Sequence, residues 1–157
     1  MYQGFQIGMS PLQREALNLA KDKAVSLGSD EYHGVKRSLN AFIHIALRSW
    51  FAEDIGVDFD TATLIPGVDV KSRPPLRIAS PEPEDVDEKL IKWYQTRLTQ
   101  KQFESLDLAY EQAERVGGRY HYVNSKNKLV LVALRNYLAN RLDIDFDIAQ
   151  PIQLSSE

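Results

Sequence analysis

The chain has 157 residues, 43% of them hydrophobic, a formal net charge of −3 and no cysteine. That is enough to build one globular core, and it excludes a disulfide framework or a thiolate metal site. No apolar run reaches the roughly 20 residues of a bilayer span and no basic leader is visible, so the expectation is a cytoplasmic protein with no membrane partner.

Residues 2–9 alternate. Phe5, Ile7 and Met9 fall on one face and Gly4, Gln6 and Gly8 on the other, the pattern of a short half-buried strand. Ser10 followed by Pro11 marks a helix start, because serine caps free amides and proline suits the first turn. The predicted helix runs from 11 to 27 and stops at Gly28, with Leu12, Ala16, Leu19, Ala20, Ala24 and Leu27 as its apolar face. Ser38 opens a second helix over 38–55. Phe42, Ile43, Ile45, Ala46 and Leu47 leave it almost no polar side, which puts it at the centre of a core. Arg48 inside it is expected to be structural, snorkelling or pairing with Asp58 or Asp60, while Phe59 anchors in the core between solvated acids.

Residues 61–88 read as a linker, since Pro66, Pro74, Pro75, Pro81 and Pro83 are too dense for helix or inner strand, and its end is acidic. Residues 90–98 fit two templates. Tyr94, Thr96 and Leu98 alternate with Trp93, Gln95 and Arg97 as in a strand, yet Val86, Leu90, Tyr94 and Arg97 also lie at helical spacing. Thr99 then caps a helix with Phe103, Leu106, Ala109, Ala113 and Val116 on its face and Gly117 at its end. Ser125 opens a last helix over 125–142, apolar from Leu129 to Leu134.

The second half restates the first. Laid over one another at a shift of 87, residues 37–62 and 124–149 are identical at 10 of 26 positions, including Ser38/Ser125, Asn40/Asn127, Arg48/Arg135, Phe59/Phe146 and Asp60/Asp147. Unrelated segments would agree at about one or two. A second block, from Leu17/Leu106 to Gly28/Gly117, matches at a shift of 89. The expected fold class is mainly α with a possible short two-stranded antiparallel ribbon: an internally duplicated, pseudo-two-fold helical domain. Repeat one covers 1–60, the linker 61–88, repeat two 89–149 and a tail 150–157, with both repeats sharing one core and further homodimerisation left open.

No nucleophile elbow, phosphate-binding glycine loop or dinucleotide fingerprint occurs, so no catalytic residue, cofactor or enzyme activity is expected. His33 and His121 follow tyrosines but lack metal-ligand spacing, and His44, whose counterpart is Leu131, reads as a core or rim histidine. The carboxylates flanking Phe59 and Phe146 have no oxygen-ligand loop around them, so no metal is expected. Charge is uneven: residues 115–142 carry six basic side chains and no acid. Within that stretch, Arg119, Tyr120, His121, Tyr122, Lys126 and Lys128 could stack on and neutralise a nucleic acid, or form a solvated loop.

A strand, a capped helix, a glycine stop and a second helix with serine at its start and Ala-Leu-Arg inside it occur twice, at Ser10 to Phe51 and at Thr99 to Leu138. This order resembles the ribbon-helix-helix DNA-binding superfamily, here as a tandem, single-chain pseudo-dimer. The resemblance implies an antiparallel ribbon whose outward side chains enter the major groove of double-stranded DNA, and a second helix whose N-terminus holds a backbone phosphate. The implied base readers are Gln6, Gln95 and Arg97, since glutamine suits adenine edges and arginine guanine. The implied phosphate contacts are the amides at Ser38 and Ser125 with Lys126 and Lys128 beside them, although both serines cap their helices on any reading. The alternative expectation is a non-catalytic module that binds another protein, such as a phage- or plasmid-borne adaptor or inhibitor. A paired ribbon favours the first and a helix over 86–98 the second.

Overall fold

The structure, a computed structural model, describes residues 2–28, 32, 38–67, 90–116 and 125–152. The order is β1 (Tyr2–Met9), α1 (Pro11–Leu27), α2 (Leu39–Trp50), a π-helical turn (Phe51–Ile55), β2 (Val57–Asp58), β3 (Thr63–Leu64), β4 (Lys92–Thr99), α3 (Gln100–Val116), α4 (Lys126–Leu142), β5 (Ile144–Asp145) and β6 (Gln150–Pro151). The fold is thus mainly α, with three small antiparallel strand pairs. The strand template applies at 92–99: β4 pairs with β1 along its whole length, with Gln6 opposite Gln95, Gly4 opposite Arg97 and Gly8 opposite Trp93.

Side chains alternate across this ribbon. Ile7, Met9, Thr96 and Leu98 are buried and Phe5 and Tyr94 half-buried, while Gly4, Gln6, Trp93, Gln95 and Arg97 are exposed. An isolated two-stranded ribbon is marginal in water. This one is held by the helices beneath it, as in the edge-on contact of Phe5 with Phe103, ring centroids 6.0 Å apart.

Both first helices start in the same way. Ser10 Oγ accepts from the Gln13 amide at 3.1 Å while Gln13 Oε1 accepts from the Ser10 amide at 3.0 Å. Thr99 and Gln102 repeat the exchange at 3.1 and 2.9 Å. Such a box satisfies two amides that the helix start would leave free. Gly28 ends α1 at φ 67, a left-handed conformation that costs glycine little.

The buried face of α1 differs from the three-four stripe expected. It is Gln13, Ala16, Leu17, Ala20 and Ala24, whereas Leu12, Leu19 and Leu27 are exposed. The capping box and the bond from Gln13 to Asp147 turn the helix so that Gln13 points inward. On α3 the expected face holds for Leu106, Ala109 and Ala113, with Phe103 half-buried and Ser105 also buried.

Helices α2 and α4 pack on each other at the centre, with Phe42 edge-on to Tyr137 and the Tyr137 hydroxyl 2.8 Å from that of Tyr32. Each is followed by a reversal and a hairpin of two-residue strands. Gly56 and Asp143, 87 positions apart, both have left-handed φ, at 76 and 56, and so do Ala62 and Ala149, at 57 and 55. Ala62 donates to Asp58 at 2.9 Å and Ile65 to Gly56 at 2.8 Å; Ala149 donates to Asp145 and Ile152 to Asp143 at the same distances. Residues 61–65 close this hairpin and residues 150–152 its counterpart. The proline-rich segment 68–89 lies outside the described residues.

Phe59 and Phe146 are buried by these reversals, each contributing about 1.5–3 kcal/mol by leaving water. The acids after them are not merely solvated. Asp60 takes two hydrogen bonds from Arg48, at 2.7 and 3.0 Å, and one from Gln102 at 3.0 Å. Asp147 takes two from Arg135, at 2.8 and 3.0 Å, and one from Gln13 at 3.0 Å. Each glutamine reaches across from the other half of the chain, so the two halves are bonded reciprocally.

Candidate nucleic-acid interface

The outward face of the ribbon brings the three expected base readers together. Gln6 and Gln95 are direct cross-strand partners at its middle, and Arg97 lies two residues along β4. Trp93 is on the same face and is 64% exposed, the largest exposure among the big apolar side chains described. Its position was legible from the alternation with Gln95 and Arg97, although tryptophan is not a hydrogen-bonding base reader.

The strands contribute unequally because β1 supplies glycine where β4 supplies large side chains. A Cβ on Gly4 would fall 2.0 Å from Gln95 Nε2, and one on Gly8 3.0 Å from the Trp93 ring. Gln95 and Trp93 therefore lie across β1 in space that only glycine leaves open. Neither glycine has positive φ, so the requirement is room rather than backbone conformation.

A two-stranded ribbon has two outer edges with unpaired backbone groups. Here the second helices take three of them. Asn40 Oδ1, near the start of α2, accepts from the Arg97 amide at 2.9 Å and also from the Thr96 hydroxyl. Asn127 Oδ1, near the start of α4, accepts from the Gly8 amide at 2.9 Å. The Arg97 carbonyl is 2.7 Å from His44 Nε2. Burial holds the His44 imidazole below its ordinary pKa despite that carbonyl, with Arg48 also lowering it and Asp60 raising it, so the ring is neutral at pH 7 and donates to the carbonyl. Arg97 is thus fixed at its backbone while its side chain stays exposed.

These asparagines tie both helix N-termini to the ribbon. Ser38 and Ser125 are half-buried caps, accepting from the Ala41 amide at 3.0 Å and the Lys128 amide at 3.1 Å. Lys126 pairs with Asp107 and lies over the Phe103 ring, 5.4 Å from its centroid, and Lys128 is half-buried beside it. At the Met9–Lys92 end of the ribbon, where Asn127 holds Gly8, Arg14 and Lys92 border a cleft with Met9, Ser10, Pro11 and Asn18. Arg119, Tyr120 and His121, like His33, lie outside the described residues.

The acid-free sequence stretch does not form one uniform basic face. Arg135 is buried against Asp147, Arg141 pairs with Glu53, and Lys126 with Asp107. The acids that offset it come from elsewhere in the chain, which a window along the sequence cannot register.

Among the described residues there is no group of three side chains able to hold a metal ion, and no helix is long and apolar enough to cross a membrane. No model of a known protein family, no curated protein and no solved structure matches the chain.

Proposed function

We propose that this chain is a DNA-binding regulator of the ribbon-helix-helix kind, an internally duplicated pseudo-dimer in which one chain supplies both strands of the ribbon. The observation that carries the reading is the ribbon itself. An eight-residue pair of strands carries Gln6, Gln95 and Arg97 outward together, with a helix N-terminus bonded to each of its edges. A two-stranded ribbon fits the major groove, about 12 Å wide. Glutamine amides and an arginine fork are the side chains that match base edges there, and amides at helix N-termini favour phosphate on either side. The matched reversals, the left-handed positions 87 apart and the reciprocal Gln13–Asp147 and Gln102–Asp60 bonds support descent of the two halves from one unit.

The test is a fluorescence-polarisation titration against duplex DNA at two salt concentrations. Affinity falls by orders of magnitude between about 50 and 200 mM salt if phosphates are neutralised. Arg97→Ala and Lys126→Ala each weaken binding. Salt-insensitive binding, or none, overturns the reading. A protein partner is the second reading, and one observation favours it: Leu12, Leu19 and Leu27 are exposed together on the outer side of α1.

A further inference from the structure

We infer that the ribbon reads a non-palindromic duplex, with Trp93, Gln95 and Arg97 of β4 as its main base-contacting side chains and Gln6 of β1 joining them at the centre. This rests on the DNA reading above and adds which strand reads, and what kind of site.

The argument comes from register. A two-fold ribbon presents the same side chains at both ends. Here the cross-strand pairs on the outward face are Gly4 with Arg97, Gln6 with Gln95 and Gly8 with Trp93. Only the central pair is alike on the two strands. One end pairs an arginine with a glycine, the other a tryptophan with a glycine. Their chemistry selects different bases: arginine forks to guanine in the major groove, and an apolar ring packs on the thymine methyl. The glutamine pair between them suits adenine. Alternate strand residues lie about 6.8 Å apart, so Trp93 and Arg97 are separated by about 14 Å, roughly four base-pair steps of 3.4 Å.

The glycines make the asymmetry firm. Gln95 occupies the space over Gly4, and the Trp93 ring that over Gly8. Trp93 is therefore seated across the ribbon as well as exposed from it. Arg97 is held at both backbone polar atoms, by Asn40 and His44, which fixes where its side chain leaves the strand.

The experiment is selection from a randomised duplex library with the full chain, repeated with Arg97→Ala and Trp93→Ala. Both positions are exposed, and circular dichroism checks the fold. The wild type enriches a core that differs from its own reverse complement, with guanine toward one end and thymine toward the other. Arg97→Ala relaxes selection at the guanine and weakens the best duplex about tenfold or more; Trp93→Ala relaxes the opposite end. The fluorescence of Trp93 also changes on the selected duplex, and this change vanishes in Trp93→Phe because Trp50, the other tryptophan, is buried. A palindromic core, or two variants that relax the same positions, overturns the inference and leaves the DNA reading in place. Duplex binding with no sequence preference does the same. No binding to any duplex at about 50 mM salt, where phosphate contacts are strongest, overturns both.

Discussion

Arg135 grips Asp147 through two hydrogen bonds of 2.8 and 3.0 Å with only 2% of its side chain exposed, and Asp147 in turn accepts 3.0 Å from Gln13 at the start of α1. The same bonds join Arg48, Asp60 and Gln102, but there the arginine side chain is 47% exposed. Identical chemistry therefore sits in two environments, and the environments decide what each pair is worth.

Removing Arg135 leaves Asp147 part-buried without its cation, a loss of about 3–5 kcal/mol. Removing Arg48 breaks a solvated pair and costs below about 1 kcal/mol. Urea denaturation of Arg135→Ala and Arg48→Ala should show this difference. Equal losses would mean that the two pairs are equally screened.

Acid should destabilise the fold in two stages. At Asp147, burial pushes the carboxyl up, but the Arg135 guanidinium and the Gln13 amide outweigh it and hold it below the usual carboxylate range. The Arg48 bond holds Asp60 low as well, against its own burial. A carboxylate depressed in the folded state contributes stability above its unfolded pKa, about 3.9, and loses it as pH falls through the folded value. His44 is likewise depressed, by burial first, so its contribution is complete above about 6.5 and begins to fall below that. Urea midpoints should be level above pH 7, decline gently below about 6.5 and steeply below about 4. In His44→Leu the gentle limb disappears; if it persists, another group carries it.

Ala62 and Ala149 hold left-handed backbone at φ 57 and 55, where a side chain costs about 1–2 kcal/mol. Glycine removes that cost and returns part of it as unfolded-state entropy. Ala149→Gly should stabilise the protein by about 0.5 kcal/mol, read as a rise in the urea midpoint. A fall would show that the Ala149 methyl, which packs against the core, matters more than the strain.

Gly4→Ala places its Cβ against the flexible end of Gln95, which can swing away, so stability should change by less than about 1 kcal/mol while duplex affinity drops. Gly8→Ala meets the stiffer Trp93 ring and should cost more of both. Thermal melts and polarisation titrations on the two variants check the order.

Much of this architecture is legible in the sequence, because caps and periodicity are local. Ser10, Ser38, Thr99 and Ser125 mark four helix starts, and the apolar circumference of 42–47 and 129–134 marks the central pair. The ambiguity at 90–98 is resolved only by a partner strand some 90 residues away, which no local pattern contains. The hairpins after Asp58 and Asp145 escape because their left-handed turns use alanine where glycine would have signalled them. Asn40 and Asn127 stand out as an identical pair, yet their role at the ribbon edges depends on tertiary placement. The stripe on α1 misleads because Gln13, a polar residue, takes a buried position to reach Asp147. Of the expected interface, Gln6, Gln95 and Arg97 are found together on one face, and Trp93 joins them.

The most direct test of the central claim is polarisation of a labelled duplex titrated with the full chain at about 50 and 200 mM salt, beside the Arg97→Ala variant. The account predicts tight binding at the lower salt, a loss of orders of magnitude at the higher, and weaker binding by the variant. Binding that ignores salt, or no binding at the lower concentration, would contradict it.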